Sequence, residues 1–213
     1  MRVAVIDFGS GNLRSVSKAT ERVAPGAKVV VTSQAEVIDS ADRIIFPGQG
    51  AIGACVAAME TLGLKGVLLS AIRNKPFLGI CLGLQVLYEA SEEDGGTAGL
   101  SVLDGQVRHF NRVGVASDNR DALKIPHMGW NNVHQTRDHP LWRDIPNGAR
   151  FYFVHSYCAV SANDSEICGT TDYGGTFVSA AGRENVFAVQ FHPEKSQNHG
   201  LHLLRNFVEW DGT

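Results

Sequence analysis

Up to Ala90 the apolar residues fall into short runs separated by longer amphipathic stretches. Arg2–Asp7 is a β-branched run closed by the turn Gly9-Ser10-Gly11-Asn12, and Leu13–Val23 repeats apolar residues at helical spacing. Lys28–Thr32 reads as a second strand and Arg43–Phe46 as a third, ended by Pro47-Gly48. Ala54–Leu62 and Leu64–Ile72 read as helices divided at Gly63. Phe77–Ile80 is a fourth apolar strand, and Leu82–Ala90 is expected to continue as a helix. Strands without clean polar alternation, separated by helices, predict a parallel sheet covered on both faces.

From about Gly99 the spacing changes. Gln106–Phe110, Trp130–His134, Arg150–Val160, Glu166–Thr170, Phe177–Ala181 and Val186–Phe191 follow one another with turns between them. A helical pattern returns only at Gly200–Trp210. The second half is expected to add a mostly antiparallel meander to the sheet, and polar Asn111–Lys124 to form an exposed loop. The fold class is therefore α/β: an open mixed sheet, largely parallel with an antiparallel extension, and helices on both faces.

Composition narrows this reading without changing it. The chain has 213 residues, and a domain usually holds ~100–200, so residues 1–213 are expected to form a single domain. Hydrophobic residues at 44% and charged residues at 19% exclude a disordered or collagen-like chain. A net charge of −3 and a pI near 6.2 leave no basic footprint for nucleic acid. The longest stretch without Asp, Glu, Lys or Arg, Ile44 to Met59, carries Gly48, Gly50 and Gly53 and is too short to span a bilayer. Cys55, Cys81, Cys158 and Cys168 show no C-x-x-C spacing, so a cytoplasmic protein with reduced thiols and no metal is expected. His199 and His202 lie three apart near the C-terminus without an acidic or cysteine partner and read as surface histidines. Gly9-Ser10-Gly11 resembles the start of a dinucleotide fingerprint, but Arg14 stands at its third glycine position.

The strongest chemical signal is Gly79-Ile80-Cys81-Leu82-Gly83, where a buried strand runs directly into a helix. This is the G-x-nucleophile-x-G elbow with cysteine as the nucleophile. A thiol at a helix N-terminus meets the positive end of the dipole, which favours thiolate. The alternative is a small buried core cysteine. A nucleophile needs a base, and the base an orienter. Gln190-Phe191-His192-Pro193-Glu194 offers both, because residues two apart in an extended segment project to one side. An oxyanion hole would combine the Leu82 N–H with the loop Gly48-Gln49-Gly50 after the third strand.

With Cys81, His192 and Glu194 in these motifs, the chain resembles the class I (triad) glutamine amidotransferases. The segments Asp7-Phe8-Gly9-Ser10-Gly11-Asn12, Pro126-His127-Met128-Gly129-Trp130-Asn131 and Tyr152-Phe153-Val154-His155-Ser156-Tyr157 are similar to those of one branch, the glutaminase subunits of imidazole glycerol phosphate synthases. The resemblance implies that glutamine binds beside Cys81, with Gln85 and the Gly50 backbone among its contacts and Ser156 and Tyr157 at its amino-acid end. It implies no cofactor. It also implies a heterodimer with a separate (β/α)8-barrel cyclase, which takes the ammonia into imidazole glycerol phosphate and an aminoimidazole carboxamide ribonucleotide, with Trp130 and Asn12 at the interface. Members of that branch commonly carry Val where this chain has Gln49, and the Asn111–Lys124 loop is longer than is usual there. Two readings stand beside this one. The chain could serve pyridoxal phosphate, anthranilate or aminodeoxychorismate synthesis, or it could be a catalytically idle binding module.

Overall fold

The computed structural model describes residues 1–9, 11–113 and 124–213. In chain order the elements are β1 (Arg2–Ile6), α1 (Leu13–Val23), β2 (Lys28–Thr32), α2 (Ala35–Asp39), β3 (Arg43–Gly48), α3 (Ile52–Thr61), α4 (Lys65–Asn74), β4 (Phe77–Cys81), α5 (Leu82–Gln85), β5 (Tyr88–Ser91), β6 (Thr97–Ala98) and β7 (Leu103–His109). They continue with β8 (His127–Asn132), β9 (His134–Gln135), β10 (Arg150–His155), β11 (Tyr157–Ser161), β12 (Ile167–Asp172), β13 (Thr176–Arg183), β14 (Val186–Val189) and α6 (Gln197–Glu209). Among the described residues, twelve strands form one sheet with the main order β2-β1-β3-β4-β14-β13-β11-β7-β5-β6, while β12 joins β13 to β9. The strands from β2 to β14 run parallel, and β14 meets β13 antiparallel. Strands β8 and β10 form a separate antiparallel pair.

The apolar pattern explains the layering. In β1, Val3 and Val5 join the core on one face of the sheet while Ala4 and Ile6 join the core on the other, the period-two alternation of a strand buried on both sides. The first core packs α1 and α6, through Val16, Leu203, Leu204 and Phe207, against Phe151, Phe187 and Phe191. The second packs α3 and α4, through Cys55, Met59, Leu68 and Ile72, against Phe46, Phe77 and Tyr88. Both β4 and β14 are buried along their whole length, which makes them the centre of the sheet.

Several expectations need correction. The helix expected over Leu82–Ala90 ends at Gln85, and Tyr88–Ser91 is a strand. The run Leu82–Leu87 is buried throughout and so lacks the polar face that an amphipathic helix needs. From Tyr88 onward the backbone pairs with β7 and β6 instead. The second half is mostly antiparallel, as expected, but two parallel pairings enter it: β14 returns to the centre beside β4, and β7 runs parallel to β5. The run Arg150–Val160 breaks at Ser156, where the chain passes from the small sheet to the large one. The short helix α2 was not expected, and Trp130–His134 divides between β8 and β9. Most of the Asn111–Lys124 loop lies outside the described residues.

Candidate active site

The structure places Cys81 where β4 gives way to α5, at φ 56° and ψ −104°. A non-glycine residue rarely adopts positive φ, and such strain persists only where surrounding packing enforces it. Here the packing is visible. A Cβ on Gly83 would lie 2.0 Å from the Phe46 carbonyl oxygen, and one on Gly79 would lie 2.6 Å from the Gly83 carbonyl oxygen. The elbow glycines are therefore required by backbone crossing at contact distance, and the turn they permit points Cys81 into a cavity of about 350 Å³.

Gly48 pairs with Cys81 in the β3–β4 register, so the candidate oxyanion loop begins beside the thiol. A Cβ on Gly48 would sit 2.8 Å from the Phe8 ring and 2.9 Å from Leu82 Cβ. Gln49 and Gly50 line the cavity with Leu82, and Gly50 has φ 95°. Leu82 opens α5, leaving its N–H at the free start of the helix.

His192 follows β14 and is buried, with Nδ1 2.9 Å from Glu194 Oε1. The route differs from the extended segment expected: Pro193–Lys195 is one turn of 3-10 helix, and this turn folds Glu194 back onto the ring. Ser196 fixes the turn, its hydroxyl donating to the His192 carbonyl at 2.6 Å and accepting from Tyr152 N–H at 3.0 Å. Among the described residues His192 Nε2 has no partner in hydrogen-bonding geometry, yet the Cys81 sulfur is near enough to act on its charge. Burial alone would push the imidazole pKa down; the Cys81 sulfur and the Glu194 carboxylate outweigh it and raise the pKa to about 10. By contrast, burial raises the Cys55 and Cys158 thiols to about 12, as expected of packing cysteines. Cys55, Cys81, Cys158 and Cys168 are all unpaired.

Gln85, Ser156 and Tyr157 line the same cavity. Gln85 Nε2 donates to the Tyr157 carbonyl and to Gln190 Oε1, both at 3.1 Å, and Gln190 Nε2 approaches Cys81 Sγ at 3.6 Å. Gln190 was missed by the sequence reading, although an amide ending an otherwise apolar buried run was a signal. Glu93 was missed too. It reaches the cavity from a one-turn helix, accepts the Ile52 N–H at 2.9 Å, and has its pKa raised chiefly by burial. Within Glu92-Glu93-Asp94 nothing local distinguished it from a solvated acidic turn.

Trp130 and Asn12 stand outside this cavity. Met128, Trp130 and Asn132 form the exposed face of β8, and Trp130 borders a second cavity of about 660 Å³ with Arg150, Ser196 and His199. Asn12 precedes α1, where its carbonyl accepts the Val16 N–H at 3.1 Å. Among the described residues no single helix is long and apolar enough to cross a membrane.

The family described as glutamine amidotransferase class-I matches residues 4–210. The chain belongs to the class I glutamine amidotransferases. It is 54% identical over 209 residues to the imidazole glycerol phosphate synthase subunit HisH of Thiobacillus denitrificans, covering 98% of this chain and 91% of that protein. It is 52% identical over 210 residues to the HisH subunit of Pseudomonas putida, covering 99% and 98%. Among solved structures, one described as a glutamine amidotransferase superposes with a TM-score of 0.72 at 17% identity, covering 97% of both chains. PurLQS from Thermotoga maritima gives the same score at 18% identity, covering 98% of this chain and 97% of that one. At such identities the structural likeness concerns the fold alone.

Proposed function

We propose that this chain is the glutaminase subunit of an imidazole glycerol phosphate synthase, acting in histidine biosynthesis in the cytoplasm as one domain over residues 1–213. It hydrolyses glutamine to glutamate and passes the ammonia to a (β/α)8-barrel cyclase in a heterodimer. Near full-length identity above 50% to HisH subunits supports the partner and pathway. The observation that carries the chemistry is the strained Cys81 turn facing His192, itself bonded to Glu194 at 2.9 Å.

In this reading Cys81 thiolate attacks the side-chain amide carbon of glutamine. The oxyanion is received by the Leu82 N–H and the Gly48-Gln49-Gly50 loop. His192 gives its Nε2 proton to the departing ammonia as the C–N bond breaks, leaving a glutamyl thioester. Water then attacks, His192 takes its proton, and the C–S bond breaks to release glutamate and the thiolate. Glu194 holds the imidazole in place and stabilises its charged form. Gln85 and the Gly50, Ser156 and Tyr157 backbone hold the substrate, and the Glu93 carboxylate suits its α-ammonium group. Trp130 and Asn12 face the cyclase. Every step uses side chains, backbone groups and water, with no cofactor.

The test is Cys81→Ala in the complex. Glutamine-driven product formation should fall by on the order of 10⁶, as in other triad enzymes that lose the nucleophile, while free ammonia still supports the cyclase. Glutamine turnover at the parent rate would refute the assignment.

A further inference from the structure

At the wall of the glutamine cavity, which His155 itself lines, stands a histidine pair that the chemistry above does not use. His127 opens β8 and His155 closes β10, and the two face each other directly in register. They are 3% and 6% exposed. His127 Nδ1 lies 3.0 Å from His155 Nε2, and His155 Nδ1 lies 2.8 Å from the Tyr157 carbonyl oxygen. At the far end, Asn131 Nδ2 lies 3.3 Å from His127 Nε2 and 2.9 Å from the Asp172 carbonyl.

These contacts fix both tautomers. A carbonyl only accepts, so His155 donates from Nδ1. At the other end Asn131 Nδ2, held by the Asp172 carbonyl, sets an N–H against His127 Nε2. His127 therefore accepts there and donates from Nδ1, which leaves His155 Nε2 the acceptor of a neutral ring. Each bond runs one way, toward the Tyr157 carbonyl. Charging His155 would set an N–H against the N–H of His127. The surroundings agree: Phe110, Phe153, Phe177 and Tyr173 pack around the pair. Burial is the main reason that His155 is pushed down to about 3 and His127 to about 4, and His192 adds to the effect on His155.

The bond from His155 to the residue two further on closes a turn around Ser156, where the chain crosses between the sheets. Gln85 places a second donor on the same Tyr157 carbonyl. Buried histidines that merely satisfy each other need no such target, whereas this carbonyl belongs to the turn lining the glutamine cavity.

We propose that His155, oriented by His127, is a positioning residue for glutamine: it clamps the Ser156–Tyr157 turn in the conformation that holds the amino-acid end of the substrate. The inference rests on the reading of that turn as a glutamine contact. It is tested on the complex with the cyclase by timing modification of Cys81 with two electrophiles. One is a chloroketone analogue of glutamine, which carries the amino-acid end; the other is iodoacetamide, which lacks it. His155→Leu should slow the chloroketone about tenfold, the scale of a lost buried hydrogen bond, and raise KM for glutamine more than it lowers kcat. The iodoacetamide rate should stay unchanged. His155→Asn, whose amide can still donate to the Tyr157 carbonyl, should recover most of the loss. A His155→Leu complex that reacts with the chloroketone at the parent rate, or slows equally toward both reagents, overturns the proposal. Nitrogen NMR of the unsubstituted complex decides independently of any variant: at pH 7 His155 should be neutral with Nε2 unprotonated, and a proton found there overturns it. If the chloroketone fails to modify Cys81 in the unsubstituted complex, the glutamine reading itself falls.

Discussion

A thiol held at φ 56° is an unusual use of cysteine, and the strain can be measured. Position 81 should reverse the ordinary ranking of small residues: Cys81→Gly should be more stable than Cys81→Ala by about 1–2 kcal/mol, since glycine adopts positive φ without penalty. Urea midpoints of the two inactive variants check this, and an alanine variant at least as stable would show the turn to be unstrained. The second prediction concerns the imidazole. Glu194 is one of the groups that raise the His192 pKa, so Glu194→Gln should lower it. If activity requires the imidazolium, the high-pH fall in kcat/KM should then move to lower pH by at least ~1 unit. An unmoved limb would separate Glu194 from the proton on His192. The two ends of the site were legible because each is a local pattern: glycines flanking Cys81, and His192 two residues from Glu194. Glu93 and the His127–His155 pair were not, since their meaning depends on which strand or loop stands opposite.

Elements, rather than single residues, decide which glycines can change. Gly66 sits in the first turn of α4 with open space around it, so Gly66→Ala should stabilise the fold by about 0.5–1 kcal/mol. Gly83 sits in α5, but its missing Cβ is where the Phe46 carbonyl of β3 passes. Gly83→Ala has no flexible side chain to displace and should destabilise by about 3 kcal/mol or more. Opposite shifts in denaturation midpoint check the contrast; shifts of one sign would mean that β3 yields. The same crossing explains why the sequence misled over Leu82–Ala90. An apolar run with no polar face is compatible with a helix or a buried strand, and contacts with β3, β6 and β7 divide it. The parallel core was legible from β1 to β4, where apolar runs alternate with helices. The return of β14 to the centre was not, because parallel pairing with β4 joins residues far apart in sequence. On β8 the exposed row Met128, Trp130 and Asn132 explains why Trp130 reads better as an anchor than as core. Trp130→Ala should weaken cyclase binding by about 2 kcal/mol while the subunit stays folded, which a titration with the cyclase measures.

Folding brings three histidines to opposite ends of the titration range, and the whole molecule's stability should record it. An unfolded histidine titrates near ~6.5. His127 and His155 stay neutral in the fold down to about 4 and about 3. As pH falls below the unfolded value, the unfolded chain binds protons that these rings refuse, so their contribution is complete above that value and is lost toward acid. His192, raised to about 10, works in the other direction. The native state keeps a proton that the unfolded chain has released, and that contribution fades as pH rises toward 10. Each ring changes stability by up to ~1.4 kcal/mol per pH unit inside its own window. The three together favour a maximum near neutrality and give each limb a separate origin. Carboxylates also act at low pH, so the histidine part is the difference between variants. Unfolding free energies from urea titrations at pH 4.5, 5.5 and 6.5 should fall less steeply with acid for His127→Asn/His155→Asn than for the parent chain. At pH 6.5, 7.5 and 8.5 the two should run parallel, while Cys81→Ala flattens the alkaline limb by removing one source of the raised His192 pKa. An acid limb left unchanged by the double replacement would mean that the two rings accept protons in the native fold, and the one-way chain of bonds from Asn131 to Tyr157 would have to be redrawn.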